Sequence, residues 1–216
     1  MKVIILEVCR SPEIKKETEA LILSTFFTKQ AINYEIYSND FIWQDKTLLS
    51  KDSVGGYLKT PDVRIVHLAM HGYADSLLLR WSKAANPRER IPEDILTSFD
   101  IRLMSEWKGK IVVSGACYSS SLAASFLDAG ATDVIAPKST IPWTNLGKFF
   151  SLFYKTLFSS QNISSALTFA ISQFPEYESY HVYSLRSRQQ RASEICKQNE
   201  AKFEPQGVRD RLSTRK

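Results

Sequence analysis

The chain is poor in several residue types. Only 8 of its 216 residues are glycine, and no low-complexity tract or solenoid-period repeat runs through it, which excludes linker-like and repeat architectures. Cysteine is scarcer still, with Cys9, Cys117 and Cys196 alone. An odd count in an apparently intracellular chain argues against a disulfide framework and directs attention to single thiols. Histidine occurs only as His67, His71 and His181. The first two lack a third ligand at suitable spacing, so no metal site is expected, and no organic cofactor is implied.

Long apolar runs are missing as well. Val3–Val8 contains Glu7 and is too short for a signal peptide, and nothing approaches the ~20 apolar residues of a membrane span. The expectation is a cytoplasmic protein without a membrane partner. The body also lacks any excess of one charge. Residues 186–216 hold nine basic and four acidic side chains, a surplus equal to the whole net charge of +5. Residues 1–187 therefore read as one domain and 188–216 as a basic tail. A nucleic-acid or acidic-partner role for the tail stays open. The alternative is a solvated, frayed terminus, favoured by the interleaved acids and the lack of aromatics beyond Phe203.

What is present is a hydrophobic fraction of 44%, enough for a full core, distributed as strands alternating with helices. Val3–Val8, Tyr34–Tyr37, Val63–Ala69, Ile111–Ala116, Val134–Ala136 and His181–Leu185 read as strands. Ser76–Trp81 reads as a further short strand in a hairpin outside the main sheet. Helices are expected from Ser11, with Pro12 at its first position, to about Ala31; over Asp45–Leu58, interrupted at Gly55-Gly56; from Pro92; over Ser120–Asp128, closed by Gly130; over Asn145–Phe158; and over Ser164–Phe174, capped by Ser164 or Asn162. Lys83–Arg90 reads as a polar loop with Asn86-Pro87 as a turn. Alternating strands and helices predict a mainly parallel sheet of about six strands covered on both faces.

Two of these strands end in reactive side chains: Val66-His67-Leu68-Ala69-Met70-His71-Gly72 and Ile111-Val112-Val113-Ser114-Gly115-Ala116-Cys117-Tyr118-Ser119. Residues at the C-terminal ends of parallel strands face the crevice where such sheets bind ligands. If the strands are neighbours, the imidazole of His71 and the thiol of Cys117 meet, the minimum equipment for a cysteine nucleophile with a histidine base. The N–H groups of Gly72 and Cys117 can bind a developing oxyanion, and a helix opening at Ser119–Ser121 favours a thiolate beside it.

His-Gly followed some 45 residues later by Ala-Cys-x-Ser resembles the caspase-like cysteine peptidases, and most closely their CHAT-domain members. Ala124–Ala136, Phe149–Leu157 and Ser164–Leu167 extend the resemblance. It implies a caspase-like three-layer α/β/α sandwich, His71 as general base, Cys117 as nucleophile, and Gly72 with Cys117 as oxyanion donors. It also implies an extended protein substrate, a regulatory protein partner, and service as a regulated effector in bacterial antiviral defence. Gly115 stands where relatives carry a side chain that contacts the residue before the scissile bond (P1), Gln in caspases and Asp in metacaspase-like proteins, so the P1 preference is left open. Trp143, in the loop after the fifth strand, borders the expected substrate groove and is either a pocket wall or structural.

Other readings stand beside this one. His67 shares a strand face with His71 and reads as a core or supporting residue. His181 follows Cys117 in sequence, as the base does in α/β-hydrolases, so a Cys-dependent small-molecule hydrolase is an alternative; the second glycine of the Gly-x-nucleophile-x-Gly elbow is missing, Ser119 standing in its place. A catalytically inactive caspase-like binding or scaffold module is the other alternative.

Overall fold

The computed structural model describes residues 1–8, 18–38, 49–81 and 92–185. Its elements are β1 (Lys2–Glu7), α1 (Glu19–Lys29), β2 (Tyr34–Ser38), α2 (Lys51–Leu58), β3 (Val63–Ala69), β4 (Ser76–Trp81), β5 (Pro92–Thr97), α3 (Ser98–Leu103), β6 (Ile111–Ser114), α4 (Ala123–Asp128), β7 (Asp133–Pro137), α5 (Leu146–Ser160), α6 (Ile163–Gln173) and β8 (Tyr180–Ser184). Six of the strands form one sheet in the order β2-β1-β3-β6-β7-β8. All its pairings are parallel except β7 with the edge strand β8. The four inner strands β1, β3, β6 and β7 are mostly buried apolar runs, as strands covered on both faces must be, whereas the edge strands β2 and β8 are largely half-buried.

Alternation along each strand divides the interior in two. On β3, Val66 and Leu68 point into one core with α2, α4 and the β4–β5 hairpin. Ile65 and Ala69 point into the other, with Ala20, Leu23 and Phe27 of α1 and Phe149, Phe150, Phe153 and Tyr154 of α5. The result is an α/β fold with helices on both faces of the sheet, consistent with a three-layer sandwich. Among the described residues, no helix is long and apolar enough to cross a membrane.

Three local expectations are corrected. No helix starts at Pro92: Pro92–Thr97 is a strand paired antiparallel with β4, which places Leu96 opposite Leu77 and Ile95 opposite Leu78. The burial of Leu77, Leu78 and Leu96 overrides the helix-start chemistry of Pro-Glu-Asp. The helix begins instead at Ser98, where Thr97 and Asp100 form a reciprocal capping box. The helix expected over Ser120–Asp128 opens as a 3₁₀ turn, Ser119–Leu122, and only Ala123–Asp128 is α-helical. Its dipole is correspondingly short, and the support expected from it for a thiolate is dropped. Gly55 and Gly56 lie within α2 without interrupting it.

Asn162, not Ser164, caps α6, its side chain accepting the Ser165 N–H at 2.9 Å. The Ser11-Pro12 helix start, the Asp45 helix start, the Lys83–Arg90 loop, Cys9, Cys196 and the 188–216 tail lie outside the described residues.

Candidate active site

Register brings the two reactive strand ends together. Strands β3 and β6 are adjacent and parallel, with His67 opposite Val113 and Leu68 opposite Ser114. The Gly115 N–H donates to the Leu68 carbonyl at 2.9 Å, carrying the ladder one step past the strand end. That bond sets Ala69 beside Gly115, and His71 and Cys117 each follow two residues later in the loops that leave the two strands. Cys117 packs against the core shared with α1 and α5, and His71 lies two residues beyond the end of β3.

Gly72 fixes how closely they approach. A methyl group at position 72 would collide with the Cys117 carbonyl oxygen and stand 2.9 Å from the Ala116 Cβ. Only glycine lets the two loops touch, which is the physical content of the His-Gly pair. Gly72 also bridges to Leu77. That bridge is made by Tyr73 N–H to the Ser76 carbonyl (2.8 Å) and Leu78 N–H to the His71 carbonyl (3.0 Å). The Gly72 N–H takes no part in it.

The Cys117 turn is held by short local bonds. The Ala116 N–H donates to Ser114 Oγ at 3.2 Å, and the buried Ser119 hydroxyl donates to the Ala116 carbonyl at 2.7 Å. Tyr118, at φ 56°, takes a left-handed conformation that costs a non-glycine residue energy. Its N–H donates to the Ser139 carbonyl at 3.1 Å, tying the turn to the loop after β7. Cys117 itself is partly exposed, with a free thiol.

Trp143 stands on the histidine, its ring centroid 5.0 Å from that of His71 at an interplanar angle of 49°. It remains 37% exposed, so one face covers the imidazole and another meets solvent, while His71 Nε2 is shielded from water. The loop that carries Trp143 is fastened from beneath, the Tyr177 hydroxyl donating to the carbonyls of Pro142 and Thr144. Burial pushes the Tyr177 phenol up, and nearby Glu176 and Glu19 add to this, so it remains a donor.

His181 lies elsewhere. On β8, Tyr180 and Val182 join the core face shared with Cys117, whereas Tyr183 packs on the opposite face. Alternation places exposed His181 with Tyr183, and its Nδ1 lies 2.9 Å from the Ser179 carbonyl oxygen. It does not face the thiol.

A buried polar chain sits directly below the His71–Cys117 pair, and the sequence did not reveal it. His67 is fully buried. Its Nε2 lies 2.7 Å from Glu19 Oε1 and its Nδ1 lies 2.9 Å from the Tyr154 hydroxyl. Burial, with the Glu19 charge behind it, pushes the Tyr154 phenol well up. The Glu19 carboxylate occupies the place a side chain at Gly115 would take. A Cβ at position 115 would fall 2.5 Å from Glu19 Oε1 and collide with Oε2. Two small residues opposite each other, beneath two reactive ones, were the available signal. Reading it needed the strand register.

Among the described residues, no group of three or more His, Cys, Asp or Glu side chains is placed to hold a metal ion. Comparison with protein-family models and with curated proteins finds no match.

Proposed function

We propose that the chain is a cysteine peptidase of caspase-like type, in which Cys117 attacks a peptide carbonyl with His71 as general base. The observation that supports this reading is the close approach of Gly72, the residue after His71, to the Cys117 carbonyl at the ends of adjacent parallel strands. His71 takes the thiol proton as Sγ bonds to the carbonyl carbon. The C–N bond then breaks, and the amine leaves with the proton from His71. Water, deprotonated by the same imidazole, attacks the thioester and releases the acid and the free thiol. The N–H groups of Gly72 and Cys117 would receive the oxyanion.

Trp143 keeps bulk water from the imidazole and offers an apolar wall to an extended peptide. The position of His181 on the far face speaks against the small-molecule hydrolase with that residue as base. Cleavage of a peptide library by the purified protein tests the reading. Cys117→Ala and His71→Ala are each expected to abolish cleavage, and His181→Ala to leave it intact. A folded wild type that cleaves nothing favours the binding module instead.

A further inference from the structure

We propose that Trp143 walls the subsite for the residue on the amine side of the scissile bond (P1′), so that cleavage falls before aromatic and large aliphatic residues; this rests on the peptidase reading above. The first support is chemical. The Sγ–C bond forms and the C–N bond breaks only as the leaving nitrogen takes a proton, and His71 is the group that gives it. A proton donor must come within hydrogen-bond reach, about 2.6–3.2 Å. The residue that carries the leaving nitrogen therefore lies against the imidazole of His71. Trp143 is the ring on that imidazole, with its centroid 5.0 Å away. The side chain of the P1′ residue starts on the carbon bonded to the leaving nitrogen, so the indole is its neighbour.

The second support is exposure. Trp107 is fully buried, whereas Trp143 keeps 37% of its surface in water. Its open face is apolar, and covering it with a substrate side chain releases water from both. Tyr73, two residues after His71, is a second exposed aromatic in the loop that leaves the histidine. Between 138 and 148 the only charged residues are Lys138 and Lys148, so the loop itself selects by apolar surface.

The third support is fixation of the wall. The Tyr177 hydroxyl bonds the carbonyls on either side of Trp143, those of Pro142 and Thr144. The Trp143 carbonyl accepts the Leu146 N–H at 3.3 Å, at the start of α5. Upstream, the Ser139 carbonyl accepts the Tyr118 N–H and so ties the loop to the cysteine turn. A wall held at both flanks is ordered before the substrate arrives, and less of the contact energy is lost in ordering it.

The test uses fluorogenic peptides that share an acyl half cleaved by wild type in the library screen and carry phenylalanine, leucine or alanine at P1′. A second set varies only P2. Wild type is expected to prefer phenylalanine and leucine to alanine at P1′ by about 10-fold in kcat/KM, the lower end for a group held in an apolar pocket. Trp143→Ala is expected to bring that ratio toward one, and Trp143→Phe to keep most of it. The P2 ratios are expected to be the same in all three proteins. Exposing the imidazole to water changes every peptide alike and cancels in the ratios, so a merely protective role of the indole leaves them unmoved. Equal cleavage of the three P1′ peptides by wild type overturns the assignment of Trp143 and leaves the peptidase reading standing, whether or not a variant folds. So does a Trp143→Ala protein that keeps the P1′ preference, or one that loses a preference at P2 instead. No cleavage of any peptide, with Cys117 inert toward electrophiles, overturns both.

Discussion

At the scale of single residues, the candidate site depends on what is small as much as on what is reactive. Gly72→Ala drives a methyl group into the Cys117 carbonyl, and backbone cannot yield as a flexible side chain does. The expected cost is about 1–3 kcal/mol of stability, with slower labelling of Cys117 by thiol reagents, read by denaturant unfolding and intact mass. Tyr154→Phe leaves buried Nδ1 of His67 without its hydrogen-bond partner, an expected loss of about 1–3 kcal/mol on the same unfolding measurement. His71 and Cys117 were legible in the sequence because each ends an apolar, β-branched run. Glu19 was not. It reads as an ordinary acid in the first turn of a helix, and only the packing of α1 across Gly115 gives it a role. Tyr154 was likewise hidden among aromatics at helical spacing, where core packing is the natural account.

At the scale of elements, the local chemistry of each segment was readable wherever no distant partner outvoted it. Strands β1, β3 and β6 follow their apolar runs, and Asn162 caps α6 as one of the two candidates named for it. Pro92-Glu93-Asp94 misled because its neighbours Ile95 and Leu96 pair with β4. The true helix start was written as Thr97-Ser98-Phe99-Asp100. There the Thr97 N–H and hydroxyl donate to Asp100 Oδ2 at 2.9 and 2.6 Å, and Lys51 Nζ sits 3.0 Å from the same oxygen. Burial opposes the Asp100 charge, but these donors outweigh it and hold the carboxyl below its ordinary value. Because the folded-state value is depressed, the stabilisation is present above the ordinary carboxylate range and is lost as pH falls through the folded value. Thr97→Ala is expected to cost about 1 kcal/mol near neutral pH. Asp100→Asn is expected to flatten the acid limb of stability below about pH 4, where the wild type is losing this contribution. Chemical unfolding across pH 2–7 checks both.

At the scale of the whole molecule, the sheet separates two cores with different work. One packs aliphatic side chains, Trp107 and the β4–β5 hairpin. The other is an aromatic slab whose upper edge carries Cys117, with Glu19 and His67 just below it. The α/β class and the count of six main strands were legible from alternation. Strand order and the reversal of β8 were not, because both are set by which faces meet after the chain has collapsed. Trp107 is fully buried and packs 4.8 Å from Phe126 on the face away from Cys117. Trp107→Ala is expected to lower stability by about 3–5 kcal/mol while the folded fraction still reacts at Cys117.

The pairing of thiol and imidazole is tested most directly by mapping where a peptidyl electrophile attaches and how fast. The account predicts a covalent adduct on Cys117 and not on Cys9 or Cys196. Its formation is expected to slow about 100-fold or more in His71→Ala and to be unchanged in His181→Ala. Equal rates with and without the imidazole of His71, or adducts spread evenly over the three cysteines, would contradict it.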